Sequence, residues 1–143
     1  MTYVSGFVYC ESVEQPDPLA PLSEQKFRIN QPFSALNLRF MPTQFSFSVL
    51  VTFGEIRAHA ENQLKLTLKF NEDILLDTGE IQLPTPQDIV DNVFDAYMVF
   101  DIKNQAFEEE GKLTTEVFFN DEIIHVADIR VVKMRINDVE EVK

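Results

Sequence analysis

The chain of 143 residues is 45% apolar and carries a net charge of −12, with 24 acidic and 12 basic side chains. This length and apolar content suit a single domain with one packed core. A protein so acidic repels phosphate, so we expect neither nucleic acid nor an anionic membrane as a partner.

Strict alternation of apolar and polar side chains is the dominant pattern, and it indicates β-strands with one buried face. The clearest example is residues 45–53, whose odd-numbered side chains are all apolar. In chain order, the pattern predicts strands at 2–13, 33–41, 45–53, 64–70, 74–83, 94–102, 112–119 and 123–136, the last broken near Asp128.

Two proline-rich segments lie outside these strands, since proline lacks the N–H that a central strand needs. Residues 15–32 contain four prolines and are expected to form an irregular connection across one end of the fold. Residues 84–93 are expected to hold at most one short helical turn, with Thr85 as the N-cap and Pro86 after it.

Several short strands separated by turns, without alternating helices, are typical of a sandwich. We therefore predict an all-β fold, a two-sheet antiparallel β-sandwich of about eight strands, Ig-like or jelly-roll, in one domain over residues 1–143. Residues 129–143 are expected to form the last strand and a tail. Two serines, Ser46 and Ser48, should lie outside the core. The expected buried residues are Phe47, Val49, Val51, Leu66, Leu68, Met98, Phe100 and Val117.

Residues 66–76 and 115–125 resemble each other, because each has an alternating strand, an Asn followed by two acids, and a second apolar strand. Asn and Asp tolerate the positive φ that tight hairpins require, so both segments are predicted to be hairpins. The same oxygen-rich turns are the best candidates for a Ca²⁺ site. The candidate ligands are Asn71, Glu72, Asp73, Asn120, Asp121 and Glu122.

Four pieces of the chain resemble a family of uncharacterised small bacterial β-sandwich proteins. These pieces are residues 33–42, 45–53, 77–80 and 111–131. In that family, a strand opening with Gly leads into an Asn/Asp turn and a final strand. The resemblance implies a sandwich of unknown function and supplies no catalytic residues.

No catalytic or cofactor motif is present in the sequence. Its two histidines, His59 and His125, have no second ligand at metal-binding spacing, and His59 is expected in a loop. Cys10 is the sole cysteine, which excludes an internal disulfide, and its apolar neighbours predict an inert, buried thiol. Because no basic segment precedes a long apolar run, we expect a cytoplasmic protein.

Three apolar residues fall on the polar side of otherwise alternating strands: Leu50, Val99 and Phe118. Unless loops cover them, such residues form a patch typical of subunit contacts. The basic residues Arg130, Lys133 and Arg135 are close together near the C-terminus, whereas all of the net charge lies in the acidic stretch 72–122. These two segments are expected to attract each other, within one molecule or between two.

These features favour a non-enzymatic binding or assembly module that forms a homo-oligomer or binds another protein, without a cofactor. One alternative is a calcium- or carbohydrate-binding module. The other is a small hydrolase, which would need two converging carboxylates about 5–9.5 Å apart. The lack of Trp argues against a carbohydrate-binding module and against a hydrolase that acts on sugars, because sugars stack on aromatic rings.

Overall fold

The structure, a computed structural model, describes residues 1–15, 26–58, 61–85, 89 and 91–135. These residues contain ten β-strands and no helix. The strands are β1 (Tyr3–Glu14), β2 (Arg28–Phe33), β3 (Ala35–Leu38), β4 (Thr43–Arg57), β5 (Gln63–Phe70), β6 (Asp73–Asp77), β7 (Ile81–Gln82), β8 (Val93–Phe107), β9 (Gly111–Phe119) and β10 (Glu122–Lys133).

Two sheets pack face to face. The four-stranded sheet has the order β2-β1-β4-β8, and all of its neighbours are antiparallel. The six-stranded sheet has the order β3-β10-β9-β5-β6, with β7 pairing with β5 beside β6. The predicted two-sheet β-sandwich is therefore confirmed, with ten strands instead of about eight.

The strand order follows the Ig-like arrangement rather than the jelly-roll. Strands β1, β4 and β8 take the places of A, B and E, and β10, β9, β5 and β6 take those of G, F, C and C′. No strand among the described residues takes the place of D. Within that part of the chain, β8 is the last strand of its sheet on one side.

One pair of strands is parallel, which the prediction of a wholly antiparallel fold did not include. β3 runs alongside β10, with Ala35 opposite Arg130 and Leu38 opposite Lys133. β10 is continuous through Asp128, so the predicted break there is wrong. Its irregularity is a shift in register between Ile123 and His125.

Three predicted segments divide differently in the structure. Residues 33–41 contain the end of β2 and all of β3, and residues 74–83 contain β6 and β7 with residues 78–80 between them. Residues 15–32 were predicted to be an irregular connection, and this prediction is wrong for residues 28–32, which belong to β2. Pro32 fits in β2 because that strand lies at the edge of the sheet. Residues 16–25, 59–60, 86–88, 90 and 136–143, which include His59, the proposed helical turn and most of the tail, lie outside the described residues.

The core forms where the inner faces of the two sheets meet. Seven of the eight residues predicted to be buried are buried: Phe47, Val49, Val51, Leu66, Leu68, Phe100 and Val117. Met98 is an error, because it lies near the β8 edge and is half-buried against the core. Burial of a side chain such as Leu66 contributes about 1.5–3 kcal/mol, so these residues supply most of the driving force for folding.

The outer face of the four-stranded sheet is also partly covered. Cys10, Ser48 and Leu50 are buried there, although they point away from the core. Phe27, just before β2, contacts Tyr97 of β8 with ring centroids 4.4 Å apart. Phe27 therefore lies on the outer face of this sheet, in a groove that Thr52 also lines. The predicted register is correct, but Ser48 is buried on this outer face, where its hydroxyl donates to Asp101.

One polar contact crosses the core between the sheets. The hydroxyl of Tyr9 in β1 lies 2.7 Å from the hydroxyl of Thr115 in β9 and donates to the carbonyl of Ala127 in β10 at 3.3 Å. Thr115 is fully buried, so its hydroxyl depends on this contact. Burial raises the pKa of Tyr9 to about 12, assisted by the charge of Asp128.

We expect Phe47→Ala to lower the free energy of unfolding by about 3–5 kcal/mol, because the truncation leaves a cavity in a close-packed core. Chemical denaturation monitored by circular dichroism measures this change. Phe40→Ala is the matched control, since Phe40 is 70% exposed and its truncation should change stability by less than about 0.5 kcal/mol. Equal effects of the two substitutions would contradict the assigned core.

We expect Tyr9→Phe to lower the free energy of unfolding by about 1–2 kcal/mol at pH 7, because the buried hydroxyl of Thr115 loses its partner. The double variant Tyr9→Phe/Thr115→Val should lose less than the sum of the two single losses.

Since the pKa of Tyr9 rises from 10.0 to about 12 on folding, its protonated form favours the fold below pH 10. This contribution is lost as the pH rises from 10 through 12, and Tyr9→Phe should weaken that alkaline dependence.

Candidate interaction surfaces

The first candidate surface is the free side of β8, named here the β8 edge. β8 has 15 residues and, among the described part of the chain, pairs only with β4. Its ladder with β4 is regular from Ala96 to Ile102 and shifts register on both sides of that segment. Val99 is the central residue of the regular segment. An edge strand of this kind presents unpaired N–H and C=O groups that can accept another strand.

The side chains on the outer face of β8 alternate with those of the core. By alternation they are Asp95, Tyr97, Val99, Asp101 and Lys103. The middle three lie opposite residues of β4, whereas Asp95 and Lys103 lie at the two register shifts. Both acids contact the neighbouring strand β4. Asp101 accepts a hydrogen bond from the Ser48 hydroxyl at 2.5 Å, and Asp95 accepts one from the backbone N–H of Glu55 at 3.2 Å. These contacts hold the two carboxylates in place, while both residues remain exposed.

The second candidate surface is the outer face of the six-stranded sheet, named here the basic face. Its basic side chains come from three neighbouring strands: Lys65 and Lys69 of β5, Lys112 of β9 and Arg130 of β10. Exposed apolar residues share this face, because Ile123 is 51% and Val126 is 52% exposed. Two acids, Glu116 and Asp128, lie on the same face, so basic, acidic and apolar side chains are mixed there.

Contacts within the basic face fix two of its lysines. Lys69 forms an ion pair with Glu116 at 2.8 Å, and the Thr67 hydroxyl donates to the same carboxylate at 3.0 Å. The hydrogen bond from Lys69 lowers the pKa of Glu116. Lys65 lies over the ring of Phe118, 4.4 Å from its centroid. Phe118 is therefore half-buried beneath a lysine rather than openly exposed.

The six interface candidates from the sequence do not form one patch. Leu50 is only 5% exposed and is covered within the chain, whereas Val99 lies at the centre of the β8 edge. Phe118 and Arg130 belong to the basic face. Arg135 forms an ion pair with Glu110 at 3.3 Å, and the backbone N–H of Lys133 donates to the same carboxylate at 3.1 Å. The expected attraction between the C-terminal segment and the acidic stretch thus exists within one molecule.

The two candidate calcium turns are tight hairpins at opposite ends of the β5–β9 pair. Asn71 and Glu72 have φ angles of 49° and 76°, and Asn120 and Asp121 have φ angles of 49° and 67°. Positive φ at both central residues is the type I′ geometry of two-residue hairpins. The sequence similarity between residues 66–76 and 115–125 therefore reflects two equivalent hairpins.

Each of these Asn side chains binds the first residues of the other hairpin. The Asn71 amide oxygen accepts a hydrogen bond from the N–H of Lys112 at 2.9 Å, and the Asn120 amide oxygen accepts one from Gln63 at 2.9 Å. The Asn71 side chain also contacts the Cα side of Gly111, where a Cβ would overlap it. Both amide oxygens thus accept hydrogen bonds from backbone N–H groups of the neighbouring hairpin.

Two further carboxyl groups meet at the surface, those of Glu80 and Asp121. A hydrogen bond with Asp121 raises the pKa of Glu80, so these two carboxyl groups lie together at the surface. Within the ranges that the structure describes, no group of three His, Cys, Asp or Glu side chains is placed to hold a metal ion. The described part of the chain also has no helix long and apolar enough to cross a membrane.

Cys10 and His125 lie on different sheets. The Cys10 thiol is buried and contacts the carbonyl of Ser48 at 3.8 Å, and burial raises its pKa. A raised pKa disfavours the nucleophilic thiolate. His125 lies beside Phe7, with ring centroids 5.0 Å apart, in a groove of about 470 Å³ between β1 and β10. Asp128 lines the same groove as His125, and the charge of Asp101 adds to the rise in the pKa of Cys10.

Comparison with protein families finds one match, which spans residues 8–132, from within β1 almost to the end of β10. The chain belongs to DUF6941, a family of unknown function. The match covers both sheets of the DUF6941 sandwich, including β8 and the two Asn hairpins. Comparison with curated proteins finds no significant match. The resemblance to a sandwich family of unknown function is confirmed, and its bacterial origin stays a prediction.

Sequence reasoning missed both candidate surfaces as units. It identified Val99 but not the edge position of β8, because strand order depends on distant pairing. It placed Lys112 in an acidic stretch, although folding brings this residue opposite Arg130. The alternating positions of Lys65 and Lys69 indicate that both side chains point away from the core. One strand alone does not show that Lys112 and Arg130 lie on the same face, because that depends on the order of the strands.

We expect Asn71→Ala and Asn120→Ala each to lower the free energy of unfolding by about 1–2 kcal/mol, because alanine is strained at positive φ and lacks the amide acceptor. Thermal unfolding of the variants measures the loss. Asn71→Gly and Asn120→Gly are the controls: glycine tolerates positive φ, so these variants lose the hydrogen bond alone and should fall between alanine and wild type. A glycine variant as stable as wild type would show that the amide contact is dispensable.

Proposed function

We propose that this domain is a non-enzymatic assembly module that associates with a second copy of itself through the β8 edge. The observation that supports this proposal is the long one-sided pairing of β8, with Val99 at the centre of its regular segment. Strand addition at such an edge supplies main-chain hydrogen bonds without requiring a pocket or a catalytic group.

The chemistry of the remaining surface favours assembly over the alternatives. The amide oxygens of Asn71 and Asn120 are engaged by backbone N–H groups, which leaves the calcium interpretation to the carboxylates of the two turns. Cys10 and His125 lie apart, and the Glu80–Asp121 pair lies on an open surface rather than in a cleft. A hydrolase would need its two carboxyl groups on either side of a bound substrate.

A rival arrangement would join the basic face of one copy to the acidic stretch 72–122 of another. The two arrangements differ in their response to salt. An edge pairing between two chains of net charge −12 works against long-range repulsion, which added salt screens. A contact made by opposite charges becomes weaker as salt is added.

We expect sedimentation velocity to show a reversible equilibrium between the 16.5 kDa chain and a species of twice that mass. Two paired edges bury less surface than the roughly 1,600 Å² of a stable complex, so the dissociation constant should be micromolar. Association should strengthen between about 0.01 and 0.15 M salt, as the Debye length falls from about 30 to about 8 Å. A monomer at every protein and salt concentration would refute the proposal.

Two single substitutions serve as matched tests of the surface. Val99→Lys places like charges at the centre of the β8 edge and should abolish dimer formation, whereas Val126→Lys changes an exposed valine on the other sheet and should leave it intact. Arg130→Glu tests the basic face, because Arg130 is exposed there opposite Lys112. Loss of the dimer in Arg130→Glu but not in Val99→Lys would favour the rival arrangement.

A further inference from the structure

We propose that the two copies pair their β8 strands antiparallel about a twofold axis at Val99, so that Lys103 of each copy lies opposite Asp95 of the other. This inference rests on the proposed function and specifies the register of the contact. In an antiparallel pair, side chains directly opposite each other lie on the same face. The outer-face residues of one β8 therefore meet those of the second copy.

The regular segment of β8 has a centre that suits a twofold axis. The ladder with β4 runs without a shift from Ala96 to Ile102, and Val99 is equidistant from both ends. The irregularities lie at Asp95 and at residues 103–104, where Asn104 has a φ of 53°. A second β8 strand can therefore pair over this segment, with the centre of the pair at Val99 and both irregularities beyond the ends of the regular segment.

The charges of β8 are self-complementary in this register. Asp95 lies four residues before Val99, and Lys103 lies four residues after it. The twofold axis therefore makes two ion pairs between the copies. It also places Tyr97, whose ring packs against Phe27 of its own chain, opposite Asp101 of the other. Val99 meets its own copy at the axis, where an apolar pair is favourable.

Neighbouring registers are less favourable. An axis at Met98 places Asp95 opposite Asp101 twice, and an axis at Asp101 places that carboxylate against its own copy. An axis at Phe100 separates Asp95 from Lys103 and pairs Val99 with Asp101. Like charges directly opposite each other destabilise a strand pair. An axis at Ile102 also brings Asp101 opposite Lys103 twice, but it centres the pair beside the irregularity at residues 103–104. The charges and the regular segment of β8 together favour the axis at Val99.

The decisive experiment exchanges the two charges separately and then mixes the products. We expect Asp95→Lys and Lys103→Asp each to weaken dimer formation about tenfold or more, because each creates two like-charge pairs by symmetry. An equimolar mixture of the two variants should form a heterodimer, since both ion pairs are restored between unlike chains. The double variant Asp95→Lys/Lys103→Asp should recover the wild-type dissociation constant.

Controls separate loss of pairing from loss of folding. Thermal unfolding checks that each single variant is folded, which matters because Asp95 also accepts a hydrogen bond from Glu55. Lys112 and Glu122 are exposed residues of the six-stranded sheet and serve as controls. The variants Lys112→Asp and Glu122→Lys should not weaken dimer formation singly, and mixing them should not produce a preferred heterodimer.

A cross-link locates the axis independently. Opposed residues of an antiparallel pair have Cα atoms about 4.5–5.5 Å apart, within the range that a disulfide spans. Val99→Cys should therefore form a disulfide-linked dimer under mild oxidation, whereas Val126→Cys should not. The native Cys10 is buried and should not contribute.

The outcomes for function and register are distinct. A dimer that forms in the wild type but is unaffected by Asp95→Lys, Lys103→Asp and Val99→Cys would overturn the register while leaving self-association in place. A wild-type protein that stays monomeric would overturn both. Heterodimer formation from the mixed variants, together with the Val99→Cys cross-link, would establish the register.

Discussion

The register of β4 is the constraint on which the rest of the sandwich depends. This 15-residue strand pairs with both β1 and β8, and its odd-numbered residues from Phe47 to Phe53 face the six-stranded sheet. A slip by one residue would turn all of these side chains outward and bring Ser48 and Leu50 into the core. The loss of several buried aromatic and branched side chains makes that alternative prohibitively unstable. β4 therefore fixes which side of β1 and β8 faces the core.

Alternation along one strand was enough to predict the faces, and this is why the core residues of β4, β5 and β9 could be read from the sequence. Pairing between strands was not readable in the same way. β2 contains Pro32 and lacks alternation, so its formation depends on the main-chain groups that β1 presents to it. Residues 78–80 interrupt a run that looks continuous, because the Thr78 hydroxyl binds the N–H of Leu66. Such contacts join residues that are distant in the sequence.

Charge shows the same limit of linear reading. Counted along the chain, residues 72–122 carry the whole net charge, and the C-terminal segment is its basic counterpart. In the fold, Lys112 leaves the acidic stretch to join Lys65, Lys69 and Arg130 on the basic face. Arg135 instead meets Glu110 of its own chain. The candidate site thus depended on which strands are neighbours, whereas the identity of single residues such as Val99 was available from alternation alone.

The charges on β8 bear on why this edge has remained open. Edge strands commonly carry charged side chains, since charge discourages indiscriminate pairing. Charges of one sign would serve that purpose in every register. β8 instead carries Asp95 and Lys103 at equal distances on either side of an uncharged Val99. Two alignments bring opposite signs together twice, at Val99 and at Ile102, but only the axis at Val99 lies in the middle of the regular segment of β8. The same side chains can therefore prevent open-ended aggregation and specify a closed, twofold pair.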